Sequence, residues 1–496
     1  MGLFLLGLPI LTVVLFFLIK NQKLLYALGI VSTGLMLIVS LLLTKEVMAA
    51  GSVGYDFLGG FFYVDALSII FLDIVVLLSF LVAIYSGSYL EQDLRNGSID
   101  TGKIHMYYLL LFTFIFTMVL ALTVENMGIM WVAIEATTLA SAFLVGFYNN
   151  RKGIEAAWKY VIICSVGIAI AFLGIILLHL ASMDCLEEDA FLNWTALMAA
   201  AAQMNQPVLK LAFIFIVVGF GTKAGLAPMH TWLPPAHSQA PSPISALLSG
   251  VLLNAAMYGI IRAQSVVNLA LGDTSFAGKI LIAMGLLSVL IACVMILSQK
   301  KYKALLAYSS IEHMGIIAFA FGAATPAAVF AALFHTINHS FTKSMLFLSA
   351  GNILQKFETS SIDKIRGILK VLPVTGVGFL LGLLAIAGTP PFSVFAGEFN
   401  ILAAVFANGG YVVGSILAVL LALVFAGIVY VLFKMFYGDT EGLTDPDGKP
   451  IERGETNKAG AVIIVLLLIV ITIMGLWLPQ PLIDLMNMAV AVVTGA

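Results

Sequence analysis

Twelve titratable side chains lie inside stretches of sequence that are otherwise apolar enough to cross a membrane. An ionisable group at the centre of a bilayer costs about 2.5–3.5 kcal/mol on insertion scales, so each one is a candidate for ion transport. Carboxylates, imidazoles and amines share one chemistry, the binding and release of protons. The twelve are Asp65, Asp73, Glu135, Lys223, His230, His237, Glu312, His313, His335, His339, Lys343 and Glu398.

His335, His339 and Lys343 follow one another at intervals of four residues. In a helix this spacing places all three on one face, over a length of about 12 Å. A row of three titratable groups is typical of a proton relay, and the neighbouring Asn338 and Ser340 can hold water beside it. The alternative is that the histidines only hydrogen-bond to neighbouring helices.

Lys223 lies within the stretch GTKAGLAPMHTWLPPAH, residues 221–237. Burial destabilises the charged form of a lysine, and a nearby carboxylate stabilises it again. Glu135 is the expected partner, as the most deeply buried carboxylate of the first half of the chain. A lysine whose carboxylate can move away would bind and release a proton, whereas a static pair would only brace two helices.

Prolines and glycines interrupt two of the apolar segments. The first interruption is KAGLAPMHTWLPP, and the second is LAIAGTPPFSVFAGEF, which ends at Glu398 and Phe399. Proline leaves backbone carbonyls unpaired, and at membrane depth only a protein-lined, hydrated cavity tolerates them. The interruptions lie five spans apart. Because five is odd, two five-helix units of opposite orientation are predicted, with their broken helices near the bilayer midplane.

The other titratable groups carry weaker expectations. Glu398 would load or release protons beside the second interruption, or else cap a helix end. Glu312 and His313 are predicted to face a partner subunit, and His230 and His237 are as consistent with a structural role as with proton transfer. Asp65 begins its segment and is expected to order a helix end.

The composition predicts an all-helical polytopic membrane protein. Of the 496 residues, 61% are hydrophobic and 10% are charged, and the mean hydropathy is +1.08; soluble proteins average about 25% charged residues. At about 20 apolar residues per crossing, about fourteen transmembrane helices are expected, the seventh and twelfth being discontinuous. The predicted spans are 2–19, 24–43, 62–87, 105–123, 126–147, 158–182, 208–235, 242–262, 277–298, 304–322, 326–354, 371–407, 411–437 and 459–478.

Loop charge predicts the orientation of these spans. Eighteen of the 24 lysines and arginines fall in loops after odd-numbered spans and four, including Arg262, in loops after even-numbered spans. Only Lys223 and Lys343 are placed inside spans. Positively charged loops stay in the cytoplasm, so the chain is expected in the cell membrane with both termini outside.

The spans group into four predicted regions. Residues 1–104 contain helices one to three, and residues 105–262 contain the first repeat, helices four to eight. Residues 277–437 contain the second repeat, helices nine to thirteen. Residues 438–496 contain a polar loop and helix fourteen. The three cysteines lack the spacing of a disulfide framework, a zinc site or an iron–sulfur site. The net charge of −2 gives no basic surface for nucleic acid.

Four segments resemble one known family, the antiporter-like proton-translocating subunits of respiratory complex I, Mrp cation/proton antiporters and energy-converting membrane-bound hydrogenases. They are KAGLAPMHTWLPPAHSQAPSPISALLSG, YSSIEHMGII, HTINHSFTKSMLFLSAG and LAIAGTPPFSVFAGEFNIL. The resemblance covers roughly residues 60–437. The first two segments are most similar to the branch of hydrogenase-4, formate hydrogenlyase and archaeal membrane-bound hydrogenase.

The resemblance implies roles for particular positions. The family's proton-translocating residues fall on Glu135, Lys223, His335, His339, Lys343 and Glu398. Many members carry a lysine or histidine in the eighth span, where this chain offers only Ser249 and Asn254, which cannot titrate. The resemblance therefore implies that water or another histidine links the two halves, and His230, His237, Glu312 and His313 are auxiliary candidates.

The resemblance also implies the biological setting. The chain would translocate protons, or Na⁺, as a subunit of a redox-driven membrane complex of the [NiFe] hydrogenase type. NiFe and iron–sulfur centres would lie on partner subunits, and this chain would carry no cofactor, metal or redox chemistry. The expected partners are other membrane subunits, a cytoplasmic redox module and lipid. The alternatives are an Mrp-type Na⁺/H⁺ antiporter or complex I (NADH/quinone) subunit, and a membrane anchor that conducts no ions.

Overall fold

The computed structural model describes residues 1–55, 61–186, 190, 192–437 and 451–495. Helices make up most of this part of the chain, and eleven of the described helices are long and apolar enough to cross a membrane. The all-helical membrane class predicted from composition is confirmed. The count of fourteen spans and the two inverted repeats stay predictions.

The helices follow one another with short connections. They are α1 (Gly2–Leu18), α2 (Gln22–Ala50), α3 (Ala66–Arg95), α4 (Thr101–Thr123), α5 (Met127–Val145), α6 (Arg151–Ser182), α7 (Trp194–Ala200), α8 (Gln206–Ala224), α9 (Leu233–Gln239), α10 (Ser242–Leu247), α11 (Leu253–Leu271), α12 (Ser275–Leu297), α13 (Tyr302–Ala323), α14 (Pro326–Phe357), α15 (Ile368–Val371), α16 (Pro373–Ile386), α17 (Ser393–Ala407), α18 (Tyr411–Phe436), α19 (Lys458–Leu476) and α20 (Gln480–Thr494). Two short strands, β1 (Ser52–Tyr55) and β2 (Phe62–Asp65), pair antiparallel with Ser52 opposite Asp65.

Several elements differ from the predicted spans. The hairpin of β1 and β2, the short helix α7 and the amphipathic helix α20 were not predicted, because none of them is long enough to give a membrane-span signal. The eighth span was predicted to end at 262 but continues through α11 to Leu271. Within that span, α10 and α11 are joined by a π-helical turn, Leu248–Leu252. Residues 438–450 of the predicted polar loop lie outside the described residues.

Short polar side chains begin many of the helices. Asn126 accepts hydrogen bonds from the backbone N–H groups of Gly128 and Ile129 at the start of α5. Asn150 accepts from Gly153 at the start of α6. Each oxygen satisfies an N–H group that the first helical turn leaves unpaired. These caps fix where α5 and α6 begin, and both helices contribute to the site around Lys223.

Both predicted interruptions are present as breaks between helices. α8 ends at Ala224 and is followed by Gly225 at φ +78°, and α16 ends at Ile386 and is followed by Gly388 at φ +73°. Left-handed backbone of this kind is readily adopted only by glycine. The chain resumes as α9 and α17. Each of the two predicted discontinuous spans is therefore built from two half-helices.

A close glycine contact sets the distance between α6 and α8. A Cβ atom on Gly219 would lie 2.3 Å from the backbone N of Ala171, so no larger residue fits this crossing. Small residues at helix–helix contacts let backbones approach closely in membrane proteins. The approach brings the end of α8, which carries Lys223, against the face of α6 that carries Tyr160.

Arg262 lies inside α11 and not in a loop, which corrects its predicted position. The side chain is 2% exposed, and its two terminal nitrogens donate to the two carboxylate oxygens of Asp65 at 2.6 and 2.9 Å. The guanidinium also lies 3.7 Å from the ring centroid of Trp194. Asp65 accepts from the N–H of Ser68 at the start of α3, so its expected helix-capping role is present together with this buried ion pair.

Replacing Arg262 by leucine is expected to lower the free energy of unfolding by about 3–5 kcal/mol, because it leaves the Asp65 carboxylate buried and unpaired. The measurement is the thermal unfolding midpoint of the purified protein. The double variant Arg262→Leu/Asp65→Asn keeps a capping side chain but removes the charge, and should recover part of the loss. If the double variant were no more stable than Arg262→Leu, the unpaired Asp65 carboxylate would not be the cause of the lost stability.

Candidate functional site

Lys223 is fully buried between α5, α6 and α8, close to the first break. Its Nζ donates to Thr138 Oγ1 at 2.6 Å and to the hydroxyl of Tyr160 at 2.7 Å. It also lies 4.8 Å from the centroid of the Tyr160 ring. Tyr160 in turn pairs with Ser141 at 2.7 Å. The amine is thus held by hydroxyl groups, which can both accept and donate hydrogen bonds.

Glu135 is linked to Lys223 indirectly, which corrects the expected direct pair. Thr138 Oγ1 donates to Glu135 Oε2 at 3.2 Å, and Ser165 Oγ donates to Glu135 Oε1 at 2.8 Å. Lys223 and Glu135 are both described, and no direct ion pair joins them. Glu135 is only partly buried, and its two oxygens accept from one hydroxyl on α5 and one on α6. A hydroxyl therefore separates the amine from the carboxylate and can pass a proton between them.

Replacing Thr138 by valine is expected to slow proton transfer between Lys223 and Glu135 by about tenfold or more, because it removes the hydroxyl that both groups contact. The helix should stay intact, since valine has nearly the same shape. Thr137→Val is the matched control, because the Thr137 hydroxyl only donates to the backbone oxygen of Ile134. The measurement is proton flux in membrane vesicles, and equal rates for the two variants would exclude Thr138 as the link.

An inner cavity of about 460 Å³ opens beside the first break, at the end of the bundle predicted to be cytoplasmic. Its polar lining includes Lys152, Glu155, Lys159, Thr231, Lys301 and Tyr308. Lys159 and Thr231 directly precede Tyr160 and Trp232 in the sequence, and the rings of those two residues pack with centroids 4.7 Å apart. The cavity thus borders the first break next to the elements that hold Tyr160 and Trp232. His230 lies at the same break, with its ring 6.4 Å from that of Tyr308.

The row on α14 is fully buried and surrounded by α13, α16 and α17. Lys343 Nζ donates to the backbone oxygen of Leu306 at 3.0 Å and to Ser309 Oγ at 2.7 Å. His339 lies one turn away, and neither of its ring nitrogens has a hydrogen-bond partner among the described residues. His335 lies one further turn away and completes the predicted face.

Glu312 and His313 lie inside the bundle, which corrects the expectation that they face a partner subunit. Glu312 is 1% exposed and His313 is fully buried. His313 Nδ1 lies 3.0 Å from His335 Nε2, and its ring is 5.4 Å from that of His339. Periodicity alone could not place them, because α13 is buried on nearly every face.

Glu398 lies on α17, just after the second break, and its carboxylate lies near the pair formed by His313 and His335. Its Oε1 is 4.0 Å from His313 Nδ1. A Cβ atom on Gly388 would lie 2.2 Å from Glu398 Oε2, so glycine at the break makes room for the carboxylate. Glu398 also lines a second cavity of about 340 Å³ between α17 and α18, the outer cavity, which lies at the Glu398 end of the row. The row on α14 therefore ends at a carboxylate that reaches a cavity.

The middle of the protein contains small polar groups at the positions where a titratable bridge was expected. Asn254 Nδ2 donates to Ser340 Oγ at 2.8 Å, and Ser249 Oγ lies 2.7 Å from Ser310 Oγ. Ser249 lies within the π-helical turn, and Asn254 follows shortly after it. Neither side chain can titrate, so both can only orient water or neighbouring groups.

His237 lies between the two halves. It is fully buried, neither ring nitrogen has a partner among the described residues, and its ring stacks on Phe347 with centroids 4.8 Å apart. Phe347 follows Lys343 by one helical turn. His237 lies on α9, which begins directly after Trp232, and the Trp232 ring packs against that of Tyr160.

Sequence reasoning missed several members of this network. Thr138 and Tyr160 carry no charge, so nothing in the sequence distinguished them from other membrane hydroxyls. Lys303 was assigned to a loop but is 1% exposed, with Nζ donating to the backbone oxygen of Ala240 at 2.7 Å. Asp93, at the end of α3, accepts from Tyr148 at 2.6 Å. The sequence did offer one indication that Lys303 is buried, because it lies only a few residues before the segment YSSIEHMGII.

A family profile described as "NADH:quinone oxidoreductase/Mrp antiporter, TM" matches residues 124–425, more than half of the chain. The chain belongs to this family. A second profile, "NADH-Ubiquinone oxidoreductase (complex I), chain 5 N-terminus", matches residues 60–97. The resemblance inferred from four sequence segments is confirmed, and the chain is an antiporter-like membrane subunit.

Two relatives of this antiporter-like subunit carry hydrogenase names. The hydrogenase-4 component F homolog of Methylacidiphilum infernorum is 40% identical over 389 residues, covering 78% of this chain and 81% of the relative. Hydrogenase-4 component B of Escherichia coli is 30% identical over 393 residues, covering 76% of this chain and 56% of that longer protein.

Among solved structures, a chain of the membrane-bound sulfane sulfur reductase, an archaeal respiratory membrane complex, matches with a TM-score of 0.86. The alignment covers 99% of the antiporter-like subunit and 97% of that chain, at 23% sequence identity. Identity this low shows a shared fold and no more.

Proposed function

We propose that this antiporter-like subunit translocates protons across the cell membrane. The observation that carries the proposal is a pair of networks of buried titratable and hydroxyl groups, one around Lys223 and one along α14. The first network lies next to the break that the inner cavity borders, and the second ends at Glu398, which lines the outer cavity. With both termini outside, as the loop charges predict, protons would enter from the cytoplasm near Lys223 and leave beyond Glu398.

His237 provides the central step of this route. A buried imidazole with two unpaired nitrogens can accept a proton on one side and release it from the other. Tyr160 and Trp232 lie between Lys223 and α9, and Lys343 lies one turn from the residue on which His237 stacks. Asn254 and Ser249 then serve as fixed hydrogen-bonding groups, which explains how the route can operate without a titratable residue in the eighth span.

From Lys343 the route follows α14. His339 and His335 come next at one-turn intervals, and His313 pairs with His335 and faces Glu398. A proton arriving at Lys343 can move along imidazoles that lie on one face and reach the carboxylate. Glu312 lies on the same helix as His313 and contributes a further buried carboxylate beside the row.

The hydrogenase branch supports a particular setting. We place the subunit in a [NiFe] hydrogenase-type membrane complex, with NiFe and iron–sulfur centres on partner subunits and a cytoplasmic redox module. The hydrogenase-4 relatives support this choice. Electron transfer on those partners would drive the proton movement in this chain.

The test uses inverted membrane vesicles that contain the assembled complex. Dihydrogen is the electron donor, a pH-sensitive dye reports proton uptake, and ²²Na⁺ reports sodium uptake. His237→Asn is expected to reduce proton uptake by about tenfold or more while hydrogen oxidation continues. His179→Asn, at a histidine on α6 away from the route, is the control. Proton uptake driven by NADH and not by dihydrogen would favour a complex I subunit, sodium uptake an Mrp-type antiporter, and unchanged uptake in His237→Asn would remove His237 from the route.

A further inference from the structure

We propose that His313, His335 and Glu398 form an inhibitory binding site for Zn²⁺ at the outer end of the row. One ligand atom from each of the three side chains lies within 4.8 Å of the others, and all three residues are buried. Two imidazoles and one carboxylate form a ligand set that suits Zn²⁺, with a fourth position left for water. No comparison assigns a metal to these residues.

The distances are close to those that the metal requires. Ligand bonds of about 2.0–2.1 Å in a tetrahedron place neighbouring ligand atoms roughly 3.3 Å apart. His313 Nδ1 lies 3.0 Å from His335 Nε2 and 4.0 Å from Glu398 Oε1. All three ligand atoms lie within 4.8 Å of one another, so a movement of the carboxylate toward the two imidazoles completes the set. The outer cavity gives that carboxylate room to move.

A hydrogen bond outside the set orients His313 for metal binding. His313 Nε2 lies 3.1 Å from the backbone oxygen of Ile386, which can only accept, so this nitrogen carries the proton. In the neutral ring Nδ1 is then a lone pair directed at His335. A backbone carbonyl that fixes the tautomer of a ligand histidine is a common supporting contact at zinc sites.

Binding displaces the proton that joins the two histidines. Without metal, His335 Nε2 must donate to His313 Nδ1, and His335 Nδ1 has no partner. With Zn²⁺ on both nitrogens, the proton on His335 moves from Nε2 to Nδ1. The metal therefore occupies the positions through which a proton would pass.

The outer cavity provides the way in. It is about 340 Å³ in volume, and Glu398 is the one ionisable residue among the described residues that line it. Gly388 lines it as well and keeps space open beside Oε2. Zn²⁺ would thus reach Glu398 through this cavity, without crossing the row on α14. The inhibition rests on the proposed function, whereas the binding does not.

The test measures binding first. The full chain is purified, stripped of metal, placed in lipid nanodiscs and titrated with zinc chloride. We expect one saturable Zn²⁺ per chain, with X-ray absorption showing two imidazole nitrogens and two oxygens at about 2.0–2.1 Å. His313→Gln and Glu398→Gln should each weaken binding at least about tenfold, and the control His179→Gln should not. Gly388→Ala is a second variant that displaces the carboxylate without removing a ligand, and monodisperse elution verifies that each variant folds.

The outcomes separate the two proposals. No saturable binding, or binding unaffected in folded His313→Gln and Glu398→Gln, overturns the zinc site. Binding that follows the ligands, together with proton uptake that Zn²⁺ present on both sides of the vesicle membrane inhibits, supports both proposals. Binding that follows the ligands without any effect on proton uptake supports the site and refutes the proton route through His335.

Discussion

Replacing Lys223 by methionine is expected to lower proton uptake by about 100-fold or more, to the level of vesicles without the complex. Removing an acid–base group from a proton-transfer step costs about 10²–10⁴-fold in rate. Methionine keeps the length and apolar body of the side chain, so α8 should still pack against α6. The hydroxyls of Thr138 and Tyr160 lose their shared donor but can pair with each other or with water.

Lys210→Met is the matched control, because Lys210 lies on the same helix, is exposed and contacts only the ring of Phe276. Both variants are compared for subunit assembly, electron transfer and proton uptake. Normal uptake in an assembled Lys223→Met complex would refute the route and would leave the chain as a membrane anchor for its partners.

Glu398 gives the second large effect. Glu398→Gln removes the ionisable group that ends the row, and is expected to lower proton uptake by about 100-fold. Gly388→Ala tests the same step without changing any charge, since its methyl group would lie 2.2 Å from Glu398 Oε2 and push the carboxylate away. We expect this variant to retain the fold but to lose most of the uptake.

The control for Gly388→Ala is Gly409→Ala. Gly409 has a similar left-handed backbone, φ +79°, but a Cβ atom there would meet no atom within 4 Å. The two alanine variants therefore carry similar backbone strain and differ in their effect on Glu398. If Gly409→Ala lost as much uptake as Gly388→Ala, backbone strain and not the position of the carboxylate would be the cause.

Much of the membrane architecture could be predicted because lipid imposes strong constraints on sequence. Apolar length predicted helices close to α3, α4 and α12, and prolines at 228, 234, 390 and 391 predicted both breaks. The face shared by His335, His339 and Lys343 followed from helical spacing alone. These features depend on residues that are close together in the sequence, so they can be predicted from one sequence alone.

The contacts between helices could not be predicted in the same way. Glu135 and Lys223 were correctly placed in neighbouring elements, but the hydroxyl of Thr138 between them depends on the rotation of α5. His313 was expected to face a partner subunit but lies inside the bundle, because its helix is buried on nearly every face. Arg262 was placed in a loop, since a buried arginine gives the same signal as the end of a span. In each case the deciding partner lies far away in the sequence.

The pair of Arg262 and Asp65 also constrains the order in which the protein can be built. The partners are 197 residues apart in the chain. At a synthesis rate of about 5–20 residues per second, Asp65 waits roughly 10–40 s before Arg262 exists. During that time the Asp65 carboxylate at the start of α3 lacks the guanidinium that pairs with it in the folded protein. We infer that the final depth of α3 in the membrane is set late, when α11 arrives from the ribosome and docks beside it.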